Sequence, residues 1–186
     1  MVRDVLDATV DVLAHSGYSA FSLEGVAERA GVSRTTIYRR WPTKAELVRT
    51  ALLRFAEARP AAADTGLLRD DLMVALGGCF DPAQAARDAG LLRALMADFD
   101  DPELLAIARL VRDRIRQPAL AAVERAIARC ALPAGTDPDV VIDPAVFTVL
   151  LRQAMFREHV EPEFGERLLD VLLAGARAGA GVKPAR

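Results

Sequence analysis

A chain of 186 residues, of which 52% are hydrophobic, has enough apolar side chain to bury a sizeable core, so global disorder is excluded. Aromatic residues make up only 5% and β-branched residues are sparse, whereas Ala, Leu, Arg and Glu abound, so the composition favours helices over an extended sheet. The net charge of −2 excludes no class of partner, but no apolar run reaches the roughly 20 residues that a membrane helix requires.

The first 59 residues contain four predicted helices, at 2–16, 23–30, 34–40 and 44–59. Apolar residues recur every three or four positions in the first helix, and Gly17 stops it. Ser22 and Ser33 are good N-caps for the second and third helices. Pro42 breaks the third helix, and a Thr-x-x-Glu capping box at 43–46 opens the fourth.

The chain beyond residue 59 contains a linker and five further predicted helices. The linker is 60–65, a run of Pro, Ala, Asp and Thr that marks the best boundary between two parts. We expect a break near Gly90 in the second of these helices and a bend at Pro118 in the third. The tail from Gly179 should fray. The predicted fold is all-α with about nine helices, the last five at 66–80, 82–99, 102–131, 143–160 and 162–178.

Residues 1–7 mix charged and apolar side chains, so we expect that they do not form the apolar block of a signal peptide. We therefore expect a cytoplasmic protein whose cysteines stay reduced. Cys79 and Cys130 both lie among apolar residues, so burial as small hydrophobic side chains is expected, with redox sensing as the alternative. No Cys/His cluster predicts a metal site, and no cofactor is expected.

The charge is distributed unevenly along the chain. Residues 30–54 contain six basic side chains and a single acid, Glu46, so this segment carries +5 and the remainder carries −7. A basic segment on an acidic body is typical of a protein that contacts phosphate with one part only.

The basic segment overlaps two short helices that meet at a glycine turn, within residues 22–44. This arrangement is the form of a helix-turn-helix, whose second helix enters the major groove of DNA. Small residues such as Ala27 and Gly31 let the two helices approach closely. We expect Tyr18 and Phe21 to fill the core in the turn that precedes them.

The same segment resembles the TetR family of transcription regulators. Members show a Ser or Thr, an Ile/Val-Ala pair, an Ala-Gly-Val-Ser turn, a Tyr, an aromatic residue and a Lys at matching intervals. The matching positions here are Ser22, Val26-Ala27, Ala30-Gly31-Val32-Ser33, Tyr38, Trp41 and Lys44. The motif match covers about residues 2–58, and the remainder matches only in helix count, length and order. Trp41, where Phe is commoner, is expected to anchor the third helix to the fourth.

The resemblance implies a ligand-responsive transcriptional regulator, and repressors are commoner than activators among such proteins. It implies a helix-turn-helix DNA-binding domain at 1–58 and a ligand-sensing and dimerisation domain at 59–186. The expected partners are a palindromic double-stranded operator, a second copy of the chain and a small, mostly apolar effector, without a membrane. The protein would associate with the nucleoid when it is bound to DNA.

The resemblance also implies roles for individual residues at the DNA. Ser22 and Lys44 would hold phosphates on either side of the third helix, and the Tyr38 hydroxyl would reach another. Arginine can bind guanine through two hydrogen bonds, and a threonine methyl can contact a thymine methyl. Taken alone, the arginines would be a solvated helix face, Tyr38 a core residue and the serines caps; the joint pattern favours DNA. The predicted contacts are Ser22, Ser33, Arg34, Thr35, Thr36, Tyr38, Arg39, Arg40 and Lys44.

The last two predicted helices carry apolar stripes that fit a dimer interface. In the family, the corresponding helices of two subunits form a four-helix bundle, and packing within the monomer is the alternative. The predicted interface residues are Phe147, Leu150, Leu151, Ala154, Met155, Phe164, Leu168, Val171, Leu172 and Gly175.

An effector pocket is expected among the helices from residue 66 to 131, closed by the helix predicted at 143. Apolar, adaptable side chains would form its walls. Three arginines would anchor an anionic group, although each is more often a surface residue. The candidates are Met73, Leu76, Phe80, Leu95, Met96, Phe99, Arg109, Arg112, Phe147, Arg152 and Phe156.

Two other functional classes compete with a regulator. A helical enzyme with a vestigial motif would need a nucleophile, a base or a cofactor loop, and the sequence offers no catalytic residue of that kind. A protein-binding adaptor would not need the +5 segment around the third helix. The acids Asp98, Asp100, Asp101 and Glu103 are expected to favour the dipole of the helix that they precede, with metal binding as the alternative.

Overall fold

The computed structural model describes residues 1–61, 63–179 and 181–182. Within this part of the chain every regular element is helical, apart from an isolated bridge between Thr136 and Val182. The all-α prediction with about nine helices is confirmed. The helices are α1 (Val2–Ser16), α2 (Leu23–Ala30), α3 (Arg34–Arg40), α4 (Lys44–Glu57), α5 (Leu68–Leu76), α6 (Pro82–Ala97), α7 (Pro102–Ala128), α8 (Pro138–Met155) and α9 (Pro162–Arg177), with a 3-10 turn at Gly77–Cys79.

Helices α2, α3 and α4 begin at the predicted capping residues. The Ser22 Oγ accepts a hydrogen bond from the N–H three residues later at 3.1 Å, and the Ser33 and Thr43 hydroxyls do the same at 3.2 Å. Gly31 ends α2 with a φ of 65°, a left-handed conformation that glycine adopts without steric cost. Because these signals are local in sequence, the bounds of α1, α2 and α3 agree with the prediction.

The described residues form two compact units, and the first contains Met1–Arg59 and Arg87–Ile115. Tyr18, Phe21 and Trp41 are buried in its core, as predicted. Helices α1 to α4 therefore share one core with parts of α6 and α7. The residues of this core that are at most 1% exposed are Val5, Leu13, Val26, Ile37, Leu47, Val48, Ala51, Leu52 and Leu104.

The second unit contains the described residues of Pro60–Ala86 and Arg116–Arg186. Its core brings together apolar side chains from α5, α7, α8 and α9, all less than 9% exposed. Burial of these faces is the main force that holds the unit, since each helix has only one apolar side to cover. The core includes Leu72, Leu76, Val123, Ile142, Leu169 and Leu173.

Helix α8 begins five residues before the predicted start at 143. The Asp137 carboxylate accepts a backbone N–H two residues on at 3.1 Å, and Pro138 occupies the first turn. An acidic N-cap followed by proline is a strong helix start, although both residues lie between the helices predicted at 102–131 and 143–160. The helix also ends at Met155 rather than 160, just before Arg157 with a left-handed φ of 54°.

Three further predictions are wrong. Helix α6 has no break at Gly90, which instead lies against Ala14 of α1. Helix α5 gives way to the 3-10 turn at Gly77 rather than continuing to residue 80, because glycine disfavours the helix interior. Cys130 is exposed, with a φ of 58° beyond the end of α7, whereas Cys79 is buried as expected. The tail predicted to fray, 179–186, lies mostly outside the described residues.

Candidate DNA-binding interface

Helix α3 is held by one buried side chain and turns cationic side chains outward. Ile37 is fully buried, and it is the residue of α3 that enters the core. The side chains of Arg34, Thr35, Arg39 and Arg40 are exposed. The positively charged surface that the sequence predicted on this helix is therefore accessible to an anionic partner.

The ends of α3 are fixed by local contacts. At the start, the Ser33 and Thr36 hydroxyls lie 2.8 Å apart, and the Ser33 Oγ also accepts the Thr36 N–H. At the end, Trp41 is buried and the Arg40 guanidinium lies 5.4 Å from its ring centroid. Arg40 is thus guided along the tryptophan face by a cation–π contact while its charge stays in solvent. Ser33 and Thr36 remain at the edge of the exposed face.

The Tyr38 hydroxyl has a protein partner that the sequence pattern does not predict. It donates a hydrogen bond to the Glu24 Oε1 at 2.9 Å, while the ring is 45% exposed. Backbone and Tyr38 hydrogen bonds lower the pKa of Glu24, and the bond to Glu24 raises the pKa of Tyr38. No spacing rule links two residues that are 14 positions apart on different helices, so this pair was not predictable from the pattern.

Lys44 also contacts protein atoms. Its ammonium donates to the Tyr18 carbonyl oxygen and lies 4.0 Å from the centroid of the Tyr18 ring. The side chain is half-buried, whereas the predicted phosphate residue Ser22 is exposed. Lys44 is therefore part of the packing between α4 and the turn that follows α1.

A carboxylate from the α6–α7 loop binds the same turn. The Asp98 Oδ2 accepts the N–H groups of Tyr18 at 2.9 Å and of Ser19 at 3.0 Å, and the Ser19 hydroxyl donates to Oδ1. These hydrogen bonds, with the Ser19 hydroxyl first, lower the pKa of Asp98. Asp98 was expected to serve the dipole of α7, but its carboxylate is directed to the turn that follows α1.

The helix-dipole prediction suits Asp101 instead. Its Oδ1 accepts the N–H groups of Glu103 and Leu104, each at 2.9 Å, and so caps α7. Glu103 in turn accepts the Tyr18 hydroxyl at 3.3 Å. Burial and the charge of Glu103 raise the pKa of Tyr18 to about 12, so the phenol stays protonated.

The predicted dimer stripes are only partly exposed. Phe147, Leu151 and Met155 recur at every fourth position of α8 and are 42–54% exposed, and Val171 of α9 is 70% exposed. Ala154 was predicted on the same face, but it is 2% exposed and packs inside the protomer. The half-buried members are Leu150, Phe164, Leu168, Leu172 and Gly175.

The predicted effector residues are distributed over both units. In the second unit, Leu76 is buried, Met73 and Phe80 are half-buried beside it, and Phe156 is 68% exposed. Phe147 and Arg152 also belong to the second unit, and the first unit contains the remaining five: Leu95, Met96, Phe99, Arg109 and Arg112. Separately, a cavity of about 370 Å³ within the first unit is lined by none of the eleven candidates, its residues being Ala45, Glu46, Arg49, Glu103, Ala106, Ile107 and Leu110.

The second unit contains an arginine and an amide with defined partners. Arg152 pairs with Glu158 at 2.6 Å and its guanidinium lies 4.7 Å from the Phe164 ring centroid. The Gln153 Nε2 donates to the Cys79 carbonyl at 2.7 Å, while its Oε1 is buried without a hydrogen-bond partner in the described structure. Arg152 was a predicted effector residue and Gln153 was not, because the burial of Gln153 could not be inferred from the apolar pattern.

Comparison with known proteins agrees with this architecture. Residues 5–51 match the family model of bacterial regulatory proteins of the tetR family, and residues 62–172 match the tetracyclin repressor-like C-terminal domain. The "DNA-binding transcriptional repressor TetR" of Mycobacteroides abscessus is 34% identical over 180 residues, which cover 95% of this chain and 94% of the relative. No described helix combines the length and apolar character of a membrane span.

Solved structures share the fold over almost the whole chain. A transcriptional regulator from Rhodococcus sp. Rha1 has a TM-score of 0.71 and 24% identity, covering 99% of this chain and 100% of its own. The regulator FadR from Bacillus subtilis, in complex with stearoyl-CoA, has a TM-score of 0.74 and 16% identity, covering 94% and 99%. From the family models and the relative in M. abscessus, we conclude that the chain belongs to the TetR family of DNA-binding transcriptional regulators and is not an enzyme.

Proposed function

We propose that the protein is a ligand-responsive repressor that binds a palindromic operator as a homodimer and leaves it when a small-molecule effector binds. The observation that carries the proposal is helix α3, which buries Ile37 and exposes arginines and threonines on the opposite side. An outward cationic helix that follows a tight glycine turn is suited to the major groove. It acts in the cytoplasm, and associates with the nucleoid when it is bound to DNA.

At the operator, α3 reads base edges and its surroundings hold phosphates. Arg34 and Arg39 donate to guanine, and Thr35 and Thr36 contact thymine methyl groups or phosphate. Arg40 binds phosphate or a base edge. Phosphate contacts come from Ser22, Ser33, Tyr38 and Lys44. The Tyr38 hydroxyl exchanges Glu24 for phosphate, whereas the Lys44 ammonium keeps the Tyr18 carbonyl and donates another of its hydrogens to phosphate.

The homodimer is formed by the exposed apolar residues of α8 and α9. Phe147, Leu151, Met155 and Val171 leave water when two copies pair, which is the driving force for association. A twofold axis between the copies then presents two α3 helices to successive major grooves, about 34–36 Å or a multiple apart. This geometry requires a palindromic operator. The protein leaves the operator because its effector-bound state has a lower affinity for DNA.

The proposed effector is small and mostly apolar. The B. subtilis regulator with this fold was solved in complex with stearoyl-CoA. Because it is only 16% identical to this chain, that ligand is not assigned to this protein. In the second unit, Met73, Leu76 and Phe80 supply apolar surface. The other candidates in this unit are Phe147, Phe156 and Arg152. The first-unit candidates are kept as alternatives: Leu95, Met96, Phe99, Arg109 and Arg112.

A direct test uses an operator that the protein itself selects from a randomised duplex library. Arg34→Ala should weaken binding to that duplex by about 1–3 kcal/mol in fluorescence anisotropy, because one base contact is lost. Arg177→Ala is the matched control, since it removes an exposed arginine from the end of α9. Failure of the wild-type protein to enrich any palindrome, or wild-type affinity of Arg34→Ala for the selected duplex, would contradict the proposal. Compounds that shift the melting temperature are then screened for operator release.

A further inference from the structure

The turn between α1 and α2 is held by two side chains of opposite charge that belong to other parts of the chain. On one side, the Asp98 carboxylate accepts the N–H groups of Tyr18 and Ser19. On the other side, the Lys44 ammonium binds the Tyr18 carbonyl and lies over its ring. The donors and the acceptor of this short turn are therefore satisfied by charged groups, which form stronger hydrogen bonds than neutral ones.

These contacts join elements that are far apart in sequence. Asp98 belongs to the loop after α6 and lies 80 positions from Tyr18. Helix α7 begins with its own cap at Asp101, so Asp98 is not required for that purpose. Its carboxylate also lies near the charge of Lys44, which contributes to its lowered pKa. The group is thus anionic while it binds the turn.

The preceding part of α6 is attached to the same unit at three more points. The Arg59 guanidinium and the Asp88 carboxylate form a largely buried pair at 2.6 Å. Arg87 pairs with Asp11 of α1 at 2.8 Å. Gly90 lies against α1, so that a Cβ there would be 3.1 Å from the Ala14 Cβ. Helix α6 is therefore fixed within the first unit, and Asp98, which follows its last residue, contacts the turn from a defined position.

The turn leads directly into the elements that are proposed to meet DNA. Ser22, the N-cap of α2, lies three residues after Ser19. Lys44, the first residue of α4, is held by Tyr18. A shift of Tyr18 would therefore displace the start of α2 and the ammonium of Lys44 together, and both flank α3.

We propose that Asp98 is a positioning residue for operator binding: it fixes the turn at Tyr18 and Ser19 and thereby sets where Ser22 and Lys44 stand relative to α3. This rests on the proposed function of α3 as the DNA-reading helix. Asp98 acts through the turn and not through contact with DNA. It makes the loop between α6 and α7 a part of the DNA-reading apparatus, although the loop lies outside residues 1–58.

The test compares Asp98→Ala, Asp98→Asn and the loop control Asp100→Ala in the full chain. Each is titrated against the duplex selected by the wild-type protein and against a scrambled duplex of equal length. Asp98→Ala should weaken operator binding by about tenfold or more without weakening scrambled-duplex binding, because loss of several charge-assisted hydrogen bonds disturbs position, whereas removal of a negative charge does not reduce the general attraction to phosphate. Asp98→Asn keeps one oxygen for both N–H groups and should restore most of the operator affinity. Asp100 is exposed in the same loop, and its replacement by alanine should leave operator affinity unchanged.

The emission of Trp41, the single tryptophan, gives a second readout at the end of α3. The wavelength of this emission should shift in Asp98→Ala and should match the wild-type value in Asp98→Asn. If Asp98→Ala does not fold, Ser19→Ala removes one hydrogen bond only and should lower operator affinity by about twofold to fivefold. The inference is overturned if the variant that folds, Asp98→Ala or Ser19→Ala, binds the operator within twofold of the wild-type affinity. It is also overturned if that variant loses equal affinity for the operator and for the scrambled duplex. A wild-type protein that selects no duplex overturns the proposed function instead.

Discussion

The Glu24 carboxylate lies beside a hydroxyl that is proposed to bind phosphate, and its charge opposes that contact. It accepts the Tyr38 hydroxyl at 2.9 Å, and it is also close enough to Arg34 for the two charges to interact. When DNA binds, the anion is brought towards phosphate and the hydroxyl must change partner. Glu24 therefore restrains the attraction between α3 and any duplex, whatever its sequence.

We predict that Glu24→Gln raises affinity for a scrambled duplex by about twofold to tenfold, because one like charge is removed near the phosphates. The amide still accepts the Tyr38 hydroxyl, so the helix geometry is preserved. Anisotropy titrations at several salt concentrations measure the change, and Glu28→Gln, an exposed acid on the same helix, controls for net charge. An equal increase in both variants would assign the effect to net charge alone.

Lys44 stands between two roles, a phosphate contact and a support for Tyr18. A lysine that neutralises one phosphate adds about 0.9 to the slope of log affinity against log salt. We predict that Lys44→Ala weakens operator binding and reduces that slope by about one. Arg54→Ala, in the same basic segment of α4, supplies the comparison. Reduced affinity with an unchanged slope would show that Lys44 acts only by holding Tyr18.

The capping residues were predictable because their partners lie within three positions, as with Ser22 and Ser33. The exposed face of α3 was also predictable, since the helical period places the polar residues around Ile37 on the sides that face away from the core. The partners of Tyr38 and Lys44 were not, because they depend on how separate helices pack. Asp98 is the clearest case: an acid before a helix has an adequate local explanation, and its contact with Ser19 appears only in three dimensions.

At the scale of the element, glycine in α6 has a packing role that the sequence could not distinguish from a helix break. Gly90 is buried against Ala14, and an added Cβ would lie 3.1 Å from the Ala14 Cβ and 3.5 Å from its carbonyl oxygen. Propensity alone favours a break or a weakened helix at glycine. The close approach of α1 explains why the helix continues through it.

We predict that Gly90→Leu lowers the free energy of unfolding by about 1–3 kcal/mol, because the side chain has no space between α6 and α1. Ala83→Leu, on an exposed position of the same helix, should change it by less than about 0.5 kcal/mol. Urea unfolding followed by circular dichroism measures both. A Gly90→Leu protein as stable as Ala83→Leu would mean that the two helices separate without cost.

At the scale of the whole molecule, the helix count followed from periodicity, but the grouping of helices did not. Residues 87–115 belong to the same compact unit as the first 59, so α6 and α7 each contribute to both units. A domain boundary predicted from the linear sequence separates the chain at one point. Packing can instead place the two ends of one long helix in different compact units. The functional division at residues 58 and 59 stays a prediction, and the proposed role of Asp98 requires that DNA reading extend beyond it.

The proposed homodimer makes the most direct prediction for the complete protein. Val171 is the most exposed residue of the apolar stripes at 70%, and a charge there would be desolvated when two copies pair. We predict that Val171→Glu yields a monomer in sedimentation analysis with unchanged helix content. Its operator affinity should fall by about tenfold or more, because a monomer contacts one half-site and loses the linked second contact. Val74→Glu, an exposed valine on α5, should remain dimeric and bind normally. If Val171→Glu stays dimeric while Val74→Glu dissociates, the interface lies on α5 and the assignment to α8 and α9 is wrong.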